Sequence, residues 1–526
     1  MKKLPIGQQS YENLISRDCI YVDKTAYIHQ LMEAGGSNFF LSRPRRFGKS
    51  LLLSTIKSIF EGKKFLFKQM YIEDKINWEP HPVLLLDMTK DSNSPEILKR
   101  NLADSIDTVA KDFQLDVRYD AESPATMLEQ LIARLHRKTG KQVVVLIDEY
   151  EKPILDNIHD IEQAEKIREA LQTFYSVLKA AAGDLKFLLV TGITKVSQTS
   201  IFSGFNNLND ISFDTAYAGI CGYTQQELEA SFSTYLAQTA AANEETLAET
   251  LTRIKYWYDG YSWNAETFVY NPYSVLLLLD KHRFRPFWYS TGTPTFLLKL
   301  LKEKDTLERI LKGAIRTPET FTEGQRIENL NAVGLLFQAG YLTIREFDRK
   351  NGSYFLEIPN EEVRTAIAEL TLMDLTQKDL QSLHELAIHI REGFANGDTK
   401  RAIESLDSLL ANTTFNTHYS NHNESHYQAL FQLVMIMANI DHRGESVHRQ
   451  GRTDAVMLFD QHVYVVEIKV AAASEQIPPA LATAMMQIHE KGYQKPYLYQ
   501  QKPIHLLGLV FSRDGLHFTE EVQLPG

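Results

Sequence analysis

Between His448 and Val470 the chain reads HRQGRTDAVMLFDQHVYVVEIKV, two β-rich runs around Asp460-Gln461-His462. With Asp460 and Gln461 as a two-residue loop, Phe459 opposes His462, and counting back sets Asp454 opposite Glu467, where facing Cβ atoms lie about 4.5–5.5 Å apart. Lys469, two residues on, shares the face of Glu467. Two carboxylates this close repel unless a cation lies between them, and oxygen ligands suit magnesium or another hard divalent ion. A lysine beside them can position hydroxide and stabilise charge developing on a phosphate, which describes metal-assisted phosphodiester hydrolysis. A cross-strand Asp/Lys/Glu salt-bridge cluster on a solvated face fits the same spacing. Glu424 on a helix upstream, Glu445 before the hairpin, and Gln487 on the helix opened by Pro478-Pro479 are candidates to extend a metal or substrate shell.

A second set of residues suits a phosphate chain. Asn38–Ser42 runs as a strand into Arg43-Pro-Arg-Arg-Phe-Gly-Lys-Ser50, and Leu51–Phe60 has the apolar spacing of a helix. In such a strand, loop and helix, successive backbone N–H groups and the helix N-terminus cradle phosphates. Gly48, Lys49 and Ser50 are correctly spaced: Lys49 would reach the β/γ-phosphates and the Ser50 hydroxyl would ligate magnesium. The first glycine of GxxxxGKS is replaced by Arg43, whose charge, with Arg45 and Arg46, can help hold a triphosphate in a loop completed by Phe47. Further on, Gln142–Asp148 is a buried strand ending in Asp148 and Glu149, at the strand end where parallel α/β sheets place ligands. Asp148 can hold magnesium through water, and Glu149 can polarise an attacking water. After the strand Lys186–Thr191, Thr191, Thr194 and Lys195 are candidates to sense a γ-phosphate, although hydroxyls there are also ordinary turn formers.

The elements that must position these groups follow from the apolar pattern. Four short apolar runs, Asn38–Ser42, Val83–Asp87, Gln142–Asp148 and Lys186–Thr191, alternate with helix-length segments, which predicts an α/β parallel sheet over residues 1–225. Thr224-Gln-Gln-Glu227 is a capping-box pattern that opens a helical region. Near residue 340 a helix over Leu330–Ala339 leads into two β runs, Tyr341–Phe347 and Ser353–Ile358, flanking Asn351-Gly352, a winged-helix-like arrangement with no extended basic stripe. Helices return to about Leu410, so 226–410 reads as a lid and winged-helix-like middle region. A polar boundary at Ala411–Ser420 sets off 411–526.

The 526 residues, with 44% hydrophobic, 23% charged and 10% aromatic, fit a globular multidomain chain. A net charge of −11 gives no global attraction to nucleic acid. The longest apolar runs fall far short of the roughly 18 residues of a membrane span. The N-terminus has no signal-like apolar stretch, and Cys19 and Cys221 form no metal or disulfide pattern; a cytoplasmic, reducing location is expected.

Taken together, RPRRFGKS, LIDEYEKP, the segment TGITKVSQTSIFSGFNNLNDISF, the GRTD–EIK hairpin and the opening YVDKT at Tyr21–Thr25 resemble a bacterial family of AAA-ATPase-like proteins fused to a C-terminal PD-(D/E)XK nuclease-superfamily domain. In that family an arginine-rich RPRRFGKS loop is usual. The resemblance implies a P-loop NTPase sheet, a helical and winged-helix-like middle and an α/β nuclease-like C-terminal domain. It implies ATP and Mg²⁺ as cofactors, Lys49, Ser50, Asp148 and Glu149 at the nucleotide, and Asp454, Glu467 and Lys469 as the catalytic set with Gln487 as accessory. The expected activity is an ATPase coupled to a magnesium-dependent nuclease. The expected partner is nucleic acid, DNA before RNA, without membrane attachment, and a homo-oligomer is an open expectation. The alternative is an ATP-driven switch whose C-terminal domain binds nucleic acid or a protein without cutting it.

Overall fold

The computed structural model describes all residues except 196–200, 203–206, 289–305, 314, 324–330, 412–423, 449–450 and 525–526; over 442–448 and 451–452 it describes the backbone. The chain forms two compact units, Met1–Phe296 with Ala314–Glu362, and Leu297–Gly313 with Val363–Gly526. The segment 226–410 therefore contributes to both.

In the first unit a five-stranded sheet is built from β1 (Asn38–Ser42), β2 (Val83–Asp87), β3 (Val143–Asp148), β4 (Leu185–Gly192) and the short β5 (Asn209–Asp210), in the order β2-β3-β4-β1-β5. All neighbours pair in parallel. Every residue of β1 and β3 is buried, which is why these strands read as unbroken apolar runs. Helix α1 (Lys49–Phe60) follows β1 and lies on β2 and β3; α3 (Pro124–Thr139) packs on β3 and against α2 (Pro95–Asp112) and α4 (Ile161–Ala180). Asp160 caps α4 by accepting from the Gln163 amide.

The helical region opens where the sequence places it: α5 (Gln225–Ala242) starts with a complete capping box between Thr224 and Glu227, and α6 (Leu247–Tyr258) repeats the device with Thr246 and Glu249. Helix α7 (Pro272–Lys281) joins them around a core of Leu228, Phe232, Ile254, Tyr258, Val275 and Leu278. The winged-helix-like element consists of β6 (Ile315–Pro318), α8 (Ala332–Gln338), β7 (Thr343–Asp348) and β8 (Ser353–Glu357), in sheet order β6-β8-β7. Asp348 pairs with Ser353, so the hairpin loop is the four residues 349–352. Asp348 organises it by accepting from the amides of Lys350 and Asn351, and Gly352 supplies a φ of 56°. Strand β6 is the part of this element that the sequence did not reveal.

The second unit carries a helical hairpin, α9 (Leu380–Ala395) and α10 (Thr399–Leu410), then α11 (Glu424–Met437). Its sheet runs β13-β12-β11-β10-β9, from β9 (His442–His448), β10 (Gly451–Leu458), β11 (Val463–Val470), β12 (Ile504–Ser512) and β13 (Gly515–Gln523). Only β11 and β12 pair in parallel. Helix α12 (Ile477–Lys491) makes that crossover and lies on β11 and β12. The helical hairpin is fastened to the sheet: the Tyr464 hydroxyl donates to Phe394 O (3.0 Å), Thr399 Oγ1 to Glu520 (2.6 Å), and the Leu516 amide to Asp407 (2.8 Å). No described helix is long and apolar enough to cross a membrane. Cys19 and Cys221 are free and buried.

Candidate functional site

The phosphate loop is fixed at both ends by backbone bonds. The Arg43 amide donates to Gly192 O (3.1 Å), and Phe47 O accepts from the Gly222 amide (3.2 Å). Gly48 precedes α1 with φ 95°, and a Cβ there would meet no atom within 4 Å. The left-handed backbone and the open space suit a phosphate approaching the first N–H groups of α1. Lys49 Nζ, buried, donates to Arg43 O (2.9 Å) and Pro44 O (3.1 Å), spanning the loop. Ser50 Oγ donates to Asp148 Oδ2 (2.6 Å), and Thr191 Oγ1 donates to Asp148 Oδ1 (2.7 Å). One hydrogen-bonded chain therefore links the start of α1 to the ends of β3 and β4. Glu149 follows with φ 53°, a left-handed conformation that costs a non-glycine residue about 1 kcal/mol. Such strain beside a phosphate loop suits a residue whose direction matters.

Four of the expected nucleotide residues point elsewhere. The Arg43 side chain does not face the loop: its guanidinium is fully buried and donates to Ser42 O and Ser212 O (both 2.8 Å) and Tyr217 O (3.2 Å). It lies 3.9 Å from the Trp263 ring centroid. Phe47 packs on Tyr261 and Trp263 (centroids 4.8 and 5.7 Å), so its ring anchors the loop from behind. Thr194 is buried and turned to Glu151, whose Oε1 accepts from the amides of Ile193 (2.5 Å) and Thr194 (2.7 Å). Lys195 is ion-paired with Asp210 (2.6 Å). Of the three sensor candidates, Thr191 touches the strand-end acid. Arg46 is exposed, 4.6 Å from the Tyr273 ring centroid, and Arg45 is half-buried with its carbonyl accepting from the Trp288 indole (3.4 Å).

Glu151 was missed by the sequence reading, although it stands two residues after Glu149. Burial lifts its carboxyl to about 7 against the lowering effect of the two amides. It clamps the exit of β4, where a Cβ on Gly192 would collide with Glu151 and the Tyr150 ring.

The C-terminal carboxylates are positioned by the register that the loop length dictates. Phe459 N donates to His462 O (2.9 Å), closing the two-residue loop, and the ladder runs from Leu458↔Val463 to Ala455↔Val466. The ladder ends there, one pair short of Asp454 and Glu467, and their carboxylates meet through side-chain contacts instead. Asp454 Oδ2 accepts from the Ile468 amide (2.6 Å), and Asp454 Oδ1 accepts from Gln428 Nε2 (2.7 Å). Gln428 sits one helical turn beyond Glu424 on α11, a relation that i, i+4 spacing could have revealed. Lys469 Nζ donates to Glu467 Oε1 (2.9 Å) and Glu424 Oε1 (3.1 Å). One carboxylate oxygen from each of Glu424, Asp454 and Glu467 lies within 4.8 Å of the other two.

The electrostatics of this cluster are those of crowded acids. Glu467 is 1% exposed, and its buried Oε2 has no hydrogen-bond partner among the described residues. Burial first, and then the Asp454 charge, lifts its carboxyl to about 7 despite the bond from Lys469. Burial pulls the Lys469 ammonium down, but its bonds to Glu467 and Glu424 outweigh that and raise it overall. Three converging carboxylate oxygens form an oxygen donor set that fits a hard divalent cation. Gln487 is half-buried on α12 and makes no hydrogen bond to the carboxylates or Lys469. Glu445 lies on β9, where its side chain falls outside the described residues.

Both sites fall inside regions that match known families. Residues 5–202 match the model for predicted AAA-ATPases, and residues 422–521 match that of the PD-(D/E)XK nuclease superfamily. Along nearly its whole length the chain is similar to an uncharacterized protein encoded in the vnfD 5′ region of Azotobacter chroococcum mcd 1. The two are 35% identical over 523 residues, covering 98% of this chain and 97% of that one. The chain belongs to the family of AAA-ATPase-like proteins that carry a C-terminal PD-(D/E)XK nuclease-superfamily domain.

Proposed function

We propose that the protein is an ATP-regulated, magnesium-dependent nuclease that hydrolyses nucleic-acid phosphodiesters, with DNA ahead of RNA as substrate and the cytoplasm as its location. The observation that carries the reading is the carboxylate cluster: three acidic oxygens within 4.8 Å of one another beside a lysine, with a buried Glu467 oxygen that has no partner among the described residues. Asp454, Glu467 and Glu424 would hold the divalent ion, which when bound supplies Lewis-acid activation of water and of the phosphate. Gln428 and the Ile468 amide orient Asp454 for that role. Lys469, released from Glu424 or Glu467, would hold the attacking oxygen and offset charge on the phosphate.

In the first unit, Lys49 would exchange the carbonyls of Arg43 and Pro44 for the β/γ-phosphates of ATP. Ser50 and Asp148 would hold its magnesium, and Glu149 would orient water for hydrolysis. The test is cleavage of single- and double-stranded DNA and RNA in magnesium, with and without ATP. Metal-dependent cleavage that Asp454→Ala abolishes while ATP hydrolysis persists is the expected result. Intact substrates under every condition would overturn the nuclease reading.

A further inference from the structure

The turn after Asp148 and Glu149 is fastened to the exit of β4 by the two residues that follow, Tyr150 and Glu151. The Tyr150 amide donates to Thr191 O (3.1 Å), and its hydroxyl donates to Thr194 O (3.1 Å). Glu151 is buried, and its Oε1 accepts from the amides of Ile193 (2.5 Å) and Thr194 (2.7 Å). Its Oε2, without a hydrogen-bond partner among the described residues, fills the space that a Cβ on Gly192 would need. Tyr150 and Glu151 thus bond or abut every residue from Thr191 to Thr194. Thr191 and Gly192 are also held by β1, through the pairs Leu41↔Thr191 and Ser42↔Gly192. Glu149 has no such support: the ladders of β3 end at Asp87↔Asp148 on one side and Ile147↔Val190 on the other. It stands at φ 53° between Asp148 and the clasped Tyr150, and its carbonyl accepts from the Lys152 amide (2.9 Å).

We propose that Glu151 is a positioning residue for ATP hydrolysis: by clasping the exit of β4 it holds Glu149 in the left-handed conformation that aims its carboxylate at the attacking water. The inference rests on the phosphate-loop reading, in which Glu149 orients that water. A non-glycine residue keeps a left-handed backbone only where its surroundings over-determine it, and beyond the ends of the β3 ladders the clasp supplies that determination. An apolar residue in place of Glu151 would leave the buried Ile193 and Thr194 amides without their acceptor, which favours a turn that opens away from β4. Glutamine keeps an acceptor oxygen and alanine removes it, so these two variants separate the clasp from the negative charge.

The test measures steady-state ATP hydrolysis and equilibrium ATP binding for the full chain and for Glu151→Ala, Glu151→Gln and Tyr150→Phe. Glu151→Ala should lower kcat by about 10–100-fold, the cost of a misaimed group. Its ATP affinity should stay near that of the unaltered protein, because an aim needed only in the transition state costs kcat and not binding. Glu151→Gln should recover most of the rate. In Glu149→Gln protein, where the aimed carboxylate is already lost, adding Glu151→Ala should cost little more. A kcat in Glu151→Ala equal to that of the unaltered protein, or a loss that multiplies in full with that of Glu149→Gln, would overturn the assignment. Tyr150→Phe deletes one hydroxyl of the same clasp and does not depend on the folding of Glu151→Ala. It should lower kcat by about two- to tenfold with ATP affinity kept, and an unchanged kcat would contradict the clasp. Hydrolysis that is absent from the unaltered protein, or that survives Glu149→Gln at full rate, would overturn the role of Glu149 and the assignment with it.

Discussion

The two candidate sites differ in how their polar groups are satisfied. At the phosphate loop Lys49, Ser50, Thr191 and Asp148 bond to one another or to loop carbonyls, so a ligand has to exchange contacts already made. At the carboxylate cluster Glu467 keeps a buried oxygen without a partner among the described residues, and three acids share a small volume with one lysine. The first arrangement suits a switch, because exchanging the Ser50 and Thr191 bonds to Asp148 changes what holds β3 and β4 to α1. The second suits a preformed cation site, because burying like charges is costly until an opposite charge joins them. On the proposed reading, regulation and chemistry would therefore rest on different physical bases.

Ways to break that contrast begin with the acids. Asp454→Ala removes a proposed cation ligand and leaves the Ile468 amide and Gln428 without their acceptor. Cleavage should fall by about a thousandfold or more, while ATP turnover stays unchanged. Next is Arg43→Gly, which restores the glycine of the general loop pattern. It removes three hydrogen bonds and the stack on Trp263, so the first unit should lose about 2–4 kcal/mol in denaturant titrations, and ATP affinity should drop rather than rise. Gln428→Ala tests orientation from a neighbouring helix: divalent-ion affinity should weaken by about 10–100-fold by calorimetry, with ATP binding unaffected.

The smallest effect is in pH. Glu467, lifted from 4.5 to about 7, favours its protonated form in the folded chain. Its contribution to stability is thus present at low pH and lost as pH rises through about 7. A divalent ion requires the ionised form, so its stabilisation of the thermal midpoint should be larger at about pH 8 than at about pH 5.5. Glu467→Gln should abolish that difference.

The sequence made the convergence of Asp454 and Glu467 legible because a two-residue hairpin loop leaves one register, although the ladder stops at Ala455 and Val466, one pair before them. The buried strands, the Thr224 capping box and the strand, loop and helix around Gly48 were legible for the same local reasons. The direction of Arg43 was not, since its partners Ser212, Tyr217 and Trp263 lie some 170 to 220 residues away and no local pattern links them. Thr194 looked like a sensor from its place after a strand, but Glu151, folded back against β4, takes its amide. Strand β6 escaped because four residues alternating in burial, Ile315–Pro318, carry too little periodicity to stand out.

The most direct test of the central claim measures ATP hydrolysis and nucleic-acid cleavage in the same sample for the unaltered protein, Lys49→Ala and Asp454→Ala. Lys49→Ala should lose hydrolysis together with any effect of ATP on cleavage, and Asp454→Ala should lose cleavage alone. Cleavage by Asp454→Ala at the unaltered rate, or an ATP effect on cleavage that survives Lys49→Ala, would contradict the account.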